Sequence, residues 1–427
     1  MKASNYNFVF FESDWGYWFN SLSFRYFRIS RGVSEKLVSF MDQLDEMEQY
    51  APAFYKKLHE NGFIIEDEVD ELSLIQDRCD KAILSKDYFL VVLPTLNCNF
   101  KCWYCIQDHI PSKMSQTVID ALKRHVDYMI HEEKIESLTV DWFGGEPLMY
   151  YEDVVRPLSV YMKAVCDEAG ISFRNGATTN GYFLPKLLDD LYELNFYQFQ
   201  ITLDGDKEFH DGVKFQKNCH SAFETVLSKI NDMLNIKKDV NMILRINYTH
   251  SNLSMKIVEE VNKFIAPENR KSITITPKKV WQEAIDKSFE FPLREILDSF
   301  WQHGYKVERW SPIVNYIPCY ANRKYYNAIC HDGHVVKCTA CDDLHEPSSG
   351  GQLLENGRIA WNDDFDVKYQ SKTFENPTCL GCKCLPICMG RCPRDFLAGS
   401  NYCKFQSSDF DLKNSIVDLI DFAYEKS

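Results

Sequence analysis

No uninterrupted apolar run in this sequence reaches the ~18 residues that a membrane-crossing helix needs. The opening residues MKASNYNFVFFESD lack a basic segment followed by an apolar one, so no secretory signal is read and the chain is expected in the cytoplasm, with no membrane partner. Repeats and low-complexity tracts are missing too, which excludes solenoids and argues against disorder. Basic residues are in deficit: 48 Lys and Arg stand against 62 Asp and Glu, a formal charge of -14, so a nucleic-acid partner is not expected.

Cysteine is what the chain has in excess, with 16 residues. Without an export signal, such a count points to metal binding or redox chemistry and away from disulfide stapling. The 427 residues are long enough for two or three domains.

Residues 1 to about 85 read as a separate module. Three aromatic-rich strands (Tyr6 to Glu12, Tyr17 to Leu22, Phe24 to Ile29) precede a helix capped by Ser34 and reaching about Leu44. A second helix from Ala53 to Asn61, a strand at Gly62 to Ile65 and an acidic linker over 66–71 follow. From Tyr88, strands alternate with helices as in parallel βα units: Phe89 to Thr95, Leu138 to Phe143, Ser172 to Asn180, Gln198 to Asp204, Met242 to Thr249 and Ser272 to Pro277. Helices at Val154 to Glu168 and Ala222 to Leu234 would cover the outer face. Six units predict an open, partial (β/α)6 TIM barrel of the α/β class. Beyond about residue 305 the alternation fails, and ten of the cysteines fall between Cys319 and Cys403 in a loop-rich stretch that metal clusters would have to hold together. A terminal helix is expected from about Asp409 to Tyr424. The expected domains are 1–85, 86–304 and 305–427.

Cys98-x3-Cys102-x2-Cys105 follows the first barrel strand, placing three thiols in one loop at the end where barrel enzymes carry their chemistry. Three ligands on a four-iron cluster leave one iron open; a zinc knuckle short of a ligand is the alternative. The run Cys98-Asn-Phe-Lys-Cys102-Trp-Tyr-Cys105 resembles the signature of the radical S-adenosylmethionine (AdoMet) superfamily, over residues 88 to 280. The resemblance implies that the open iron chelates AdoMet and that one-electron reduction releases a 5'-deoxyadenosyl radical, which abstracts a substrate hydrogen. It also sets Tyr104 near the adenine. Gly144-Gly145-Glu146-Pro147, ending the second strand, resembles the family's GGEP motif, in which Glu146 would accept the methionine ammonium. Thr179 and Asn180 end the third strand and Asp204 the fourth, where similar segments line the AdoMet pocket. Arg245 and Asn247 alternate with Leu244 and Ile246, so they share one face, and the AdoMet carboxylate would partner a buried Arg245. Asp141, Gln200 and Tyr248 are inward-facing candidates for a general base, and none is singled out.

The later array, Cys319-x13-Gly333-x4-Cys338, then Cys379-x2-Cys382-x5-Cys388-x3-Cys392, and Cys403, looks like the SPASM extension of that superfamily, which carries two auxiliary four-iron clusters. Two zinc sites are the alternative. The resemblance assigns Cys379, Cys382, Cys388 and Cys403 to one cluster, and Cys319, Cys338 and Cys392 to the other. For its fourth ligand Cys341 and Cys330 are local candidates, Asp332-Gly333 forming a hairpin turn that sets Cys330 up the ladder from Cys338; an open iron is the other possibility. Cys384 lies within the first of these loops, and Cys79, Cys166 and Cys219 read as ordinary thiols. Three four-iron clusters and AdoMet are therefore the expected cofactors.

Strands followed by helices in the front module resemble the winged-helix-like recognition element of enzymes that mature ribosomally made peptides. Such elements add a leader peptide as a strand at the sheet edge. Trp15, Trp18, Phe24 and Tyr26 would supply aromatic surface there; a structural cap on the barrel is the alternative. The resemblance implies a precursor-peptide partner, a small electron donor such as a flavodoxin or ferredoxin, and a product carrying a thioether or carbon-carbon cross-link. An anaerobic sulfatase maturase making formylglycine is the enzymatic rival, and a zinc-stabilised binding protein the rival from outside catalysis.

Overall fold

The computed structural model describes residues 1–107, 109–216, 219–280, 282, 290–309, 318–340, 344, 346, 348–362, 365–370, 372–397, 399, 403, 405 and 411–426. The chain divides into two compact units, Met1–Leu84 with Trp310–Lys324 and Tyr369–Ser427, and Ser85–Arg309 with Tyr325–Lys368. Among the described residues no helix is long and apolar enough to cross a membrane.

In the first unit β1 (Lys2–Ala3), β2 (Asn7–Glu12), β3 (Trp15–Asn20) and β4 (Arg25–Ser30) precede helices α1 (Arg31–Ser39), α2 (Leu44–Tyr50) and α3 (Pro52–Glu60), then β5 (Ile64–Ile65) and α4 (Glu71–Leu84). The middle three strands form an antiparallel meander in which Val9 opposes Trp18, and Trp18 opposes Phe27. Strand alternation sends these three side chains to one face, onto Leu37, Met47 and Leu58 of the helices. Phe8, Phe10, Tyr17 and Phe19 go to the other, onto Ile416, Leu419 and Ile420 of the terminal helix Leu412–Lys426. Both faces are therefore covered, which explains why so many aromatics are needed.

Three local expectations are corrected here. Ser34 is no N-cap: it is buried inside α1 and its Oγ accepts the Trp18 indole N–H at 2.8 Å. That bond holds Trp18 fully inside, so of the aromatics read as surface only Trp15 is well exposed. The acidic stretch ends in a helix start, because the Glu71 carboxylate is buried by hydrogen bonds from the Ser4 hydroxyl and the Asn5 N–H.

The second unit runs β6 (Asp87–Val92), α5 (Gln116–His131), β7 (Ser137–Trp142), α6 (Arg156–Ala169), β8 (Ser172–Thr179), β9 (Phe196–Leu203), α7 (Lys207–Val213), α8 (Ala222–Ile236), β10 (Asn241–Tyr248), α9 (Lys256–Phe264), β11 (Ile273–Lys279), α10 (Glu290–Gln302), β12 (Lys306–Val307), β13 (Tyr326–Ile329), β14 (His334–Val336), β15 (Gly351–Leu353) and β16 (Ile359–Trp361). They form one sheet in the order β12-β11-β10-β9-β8-β7-β6-β13-β14-β15-β16. All six anticipated strands are present and parallel. Two more parallel strands flank them: β12 on β11 and β13 on β6. From β13 the chain turns antiparallel through Asp332-Gly333, and Cys330 N–H bonds His334 O at 2.8 Å, the hairpin that was expected.

Parallel pairing requires crossovers, and these carry amphipathic helices. The Ser115 hydroxyl caps α5 by accepting Val118 N–H, and Ser221 caps α8 by accepting Glu224 N–H. The apolar stripes of α5, α6, α8, α9 and α10 share one continuous core with alternate strand residues such as Leu138, Val140, Phe199, Leu244 and Ile275. These five helices thus lie on one face of the sheet, which leaves the other as an inner face. This is the mixed α/β, parallel-dominated arrangement of a partial barrel.

Candidate active site at the carboxyl ends of the strands

The chain leaving β6 turns at Thr95, whose hydroxyl donates to Ser112 O at 2.6 Å and accepts Asn97 N–H at 2.9 Å. This pins the start of the loop that bears Cys98, Cys102 and Cys105. Backbone N–H groups are aimed at two of its sulfurs, Phe100 N at Cys98 Sγ and Gln107 N at Cys105 Sγ, each at 3.4 Å. His109 Nε2 lies 3.2 Å from Cys105 Sγ. Burial pushes the Cys98 thiol up to about 12 and raises Cys102 as well. Withdrawn from water, these sulfurs ionise only beside strong positive charge, which a bound metal supplies.

The end of β7 closes against the same loop. Gly145 N–H bonds Thr95 O at 3.1 Å, and Glu146 N–H bonds Asn97 O at 2.8 Å. Side chains are impossible at this approach: a Cβ on Gly144, which has φ +121°, would lie 2.3 Å from Thr95 O, and one on Gly145 would lie 2.1 Å from Asn97 O. Pro147 then opens a 3-10 turn, Pro147–Tyr150. Glu146 is fully buried and accepts the Thr179 hydroxyl at 2.7 Å, Asn180 N–H at 2.8 Å and Leu148 N–H at 3.0 Å. Burial still raises its carboxyl to about 7, against the lowering effect of these donors. Asn180 also reaches the cysteine loop, with Nδ2 2.7 Å from Asn99 Oδ1 and 3.7 Å from Cys98 Sγ.

Across the strand ends, Tyr104 donates its hydroxyl to Asp204. Asn247 Nδ2 reaches the same carboxylate at 3.4 Å, and Arg245 Nε donates to Asn247 Oδ1 at 2.9 Å. Arg245 and Asn247 therefore share the inner face, as their alternation required, while Leu244 and Ile246 join the core. Sequence reasoning missed the basic member of this group. Lys214, just past α7, is 4% exposed, and its Nζ stands 3.4 Å from Asp204 Oδ2 and donates to Thr202 O. Its charge favours the ionised form of both Cys102 and Glu146, against the burial that raises them. His210, one turn earlier, is fully buried and accepts Asp204 N–H at Nδ1. Burial and Lys214 hold its pKa well below the ordinary value, so it is neutral. The spacing His210-x3-Lys214 across the end of a short helix was the available signal.

In the first unit the Cys382–Cys384 hydrogen bond holds Cys382 down to about 6 and drives Cys384 up; Cys388 and Cys403 raise Cys384 further. Burial, with Cys382 and Cys403, raises Cys379. Five thiols thus act on one another, with Cys384 buried among them. Cys319 immediately precedes the turn Tyr320–Asn322, and Cys392 the helix Pro393–Leu397. Cys338 belongs to the second unit, with Ala340 N–H 3.4 Å from its sulfur. Cys330 is packed in apolar surroundings. Cys341 lies outside the described residues. Among the described residues, no three His, Cys, Asp or Glu side chains are arranged to hold a metal ion.

Residues 92–254 match the family model of the Radical SAM superfamily, so this stretch is a domain of that superfamily. A serine-type anaerobic sulfatase-maturating enzyme of Bacteroides thetaiotaomicron is 28% identical over 162 residues, 35% of this chain and 37% of that one. The chain thus spans less than half the length of that relative. Among solved structures, anSMEcpe with bound AdoMet superposes with a TM-score of 0.54 at 15% identity, over 80% of this chain and 94% of that chain. SuiB of Streptococcus suis bound to its precursor peptide SuiA gives 0.51 at 16%, over 93% and 96%. At such identities the likeness concerns the fold.

Proposed function

Taking residues 92–254 as a radical AdoMet domain, we propose that the chain modifies a ribosomally made precursor peptide, abstracting a substrate hydrogen and forming a thioether or carbon-carbon cross-link. The observation that carries this reading is the closure of Gly144-Gly145-Glu146 onto the loop of Cys98, Cys102 and Cys105, which brings the buried Glu146 carboxylate against the segment that bears those three thiols. When bound, a four-iron cluster on those cysteines supplies reductive cleavage of AdoMet and so a hydrogen-abstracting radical. The residues do the rest. Glu146 receives the methionine ammonium, which would return its raised carboxyl to the ionised form. Lys214 and Arg245 provide cations for the methionine carboxylate, and Tyr104, Thr179 and Asn180 border the same space. Cys379, Cys382, Cys388 and Cys403 are assigned an auxiliary cluster, for which Cys382, already easily ionised, is a ready ligand. The module of residues 1–85 takes the leader peptide by strand addition, and a small flavodoxin- or ferredoxin-like protein delivers electrons.

What supports a second reading, formylglycine formation, is the similarity to the sulfatase-maturating enzyme. Anaerobically reconstituted protein, given AdoMet, reductant and a candidate precursor peptide, tests both. The proposal expects 5'-deoxyadenosine and a peptide lighter by two hydrogens per cross-link. An aldehyde trapped by a hydrazide probe would decide for formylglycine, and no 5'-deoxyadenosine at all would end both readings.

A further inference from the structure

An ordinary packed barrel fills its interior with bulky branched side chains. The inner face here does so only in part. On β7 the helix-facing Leu138, Val140 and Trp142 are fully buried, while Thr139 and Asp141 between them keep part of their surface accessible. The same alternation holds on β9, where Gln200 and Thr202 are half-buried between Phe199, Ile201 and Leu203, and on β10 at Ile243 and Arg245. Open space therefore borders the inner face.

That face has two characters. Phe89, Val91, Leu93 and Phe143 form an apolar cluster with Tyr326 and Ala328 of β13. The strands beyond β7 present Thr178, Gln200 and Arg245 instead. Asp141 sits at the seam, in register with Val91 on one side and Gly176 on the other. Among the described residues its one hydrogen bond comes from Thr178 Oγ1 at a long 3.3 Å, and no cation pairs with it. Gly176 keeps the carboxylate approachable, since a Cβ there would stand 3.3 Å from Asp141 Oδ1 and 3.2 Å from Gln198 O. Burial, outweighing the Thr178 hydroxyl, pushes the acid up to about 7. An enclosed carboxylate gains most from a cation, and an adjoining apolar wall suits the aliphatic stem that carries one.

We infer that Asp141 receives the ammonium or guanidinium of a lysine or arginine side chain of the peptide substrate, its stem lying along Phe89, Val91 and Phe143. This rests on the peptide reading above. An acidic side chain would be repelled there, and a neutral one would leave the carboxylate as poorly satisfied as before.

The test is calorimetric titration of reconstituted, AdoMet-loaded full chain with n-butylammonium, n-butylguanidinium and neutral n-pentanol. The cations are expected to bind at least about ten-fold more tightly than n-pentanol, as a charge-assisted contact implies. Asp141→Asn should lose that advantage while n-pentanol binding stays, and Asp141→Glu should keep most of it. Should Asp141→Asn melt early, Gly176→Ala serves, because its methyl crowds the carboxylate and should weaken only the cations. Equal binding of cations and n-pentanol, or cation binding untouched in these variants, overturns the inference. Formation of 5'-deoxyadenosine by the same sample is a separate readout: its absence removes the enzymatic reading, and its presence without cation preference removes only the assignment of Asp141.

Discussion

The ammonium of Lys214 stands 3.4 Å from the Asp204 carboxylate, and both side chains are almost wholly withdrawn from solvent. Two charges held this way are coupled, because removing either leaves the other buried without its counter-ion. Breaking such a pair costs ~3–5 kcal/mol, far more than an exposed ion pair. Lys214→Met should therefore lower stability by about that amount in denaturant melts. Asp204→Asn combined with it should recover a good part, giving a coupling of about 1–3 kcal/mol in the double-mutant cycle. Additive losses would show that the two residues do not depend on each other.

A second expectation concerns Gly145. Its alanine variant places a methyl 2.1 Å from Asn97 O and 2.5 Å from Asn97 C, and neither backbone atom can swing away as a side chain would. The loop carrying Cys98 must then shift. Gly145→Ala is expected to lose AdoMet binding, read by equilibrium dialysis on reconstituted protein, while far-ultraviolet dichroism stays near that of the parent. Unchanged affinity would mean that the close approach does not matter to the site.

These sites show where the sequence was readable. Alternation of β-branched and aromatic runs with amphipathic stretches located all six central strands, because each is long and regular. Spacing alone set Cys98, Cys102 and Cys105 together in the loop after β6, and the turn at Gly144-Gly145 that closes on this loop declared itself by composition. What escaped depends on distant partners. Lys214 follows a seven-residue helix and looks like any solvated lysine until the fold buries it against Asp204. β12 has two residues and β13 four, and each exists only because a parallel edge is available beside β11 or β6. Ser34 carried a capping signature, but Trp18, brought over by the meander, took its hydroxyl.

His125 links α5 to the turn before β16. Its Nδ1 lies 2.7 Å from Gly357 O and its Nε2 2.8 Å from the Tyr88 hydroxyl, an arrangement suited to the neutral ring. Burial lowers its pKa from 6.5 to about 4. A folded pKa below the unfolded one means that stability is fully present above about 6.5 and is lost as pH falls toward 4. The difference amounts to about 3 kcal/mol at the acid end. Glu146 and Asp141, both raised to about 7, pull the opposite way, losing stability as pH rises through that value. The informative quantity is therefore the difference between parent and His125→Gln melts, which should shrink as pH falls from 7 to 4. A constant difference would show that His125 does not titrate in this range.

The cysteines allow the sharpest division, because their neighbours sort them before any metal is added. Cys382 is lowered to about 6, while burial raises Cys79 and Cys166 to about 11 and 12 with no other cysteine among the causes. A thiol that ionises easily among other thiols is a ligand in waiting; an isolated one in an apolar core is packing. Reconstituted parent protein is expected to hold about twelve irons per chain if three four-iron clusters form. Cys98→Ala and Cys382→Ala should each remove about four, Cys98→Ala alone abolishing 5'-deoxyadenosine formation outright, whereas Cys79→Ala and Cys166→Ala should keep the full iron content. Cys384→Ala is the discriminating variant, since its hydrogen bond is what lowers Cys382. It should retain iron but bind it more slowly below neutral pH, where Cys382 would no longer ionise readily. Iron lost altogether from Cys384→Ala would make that residue a ligand, and about four irons in the parent would leave the chain with a single cluster.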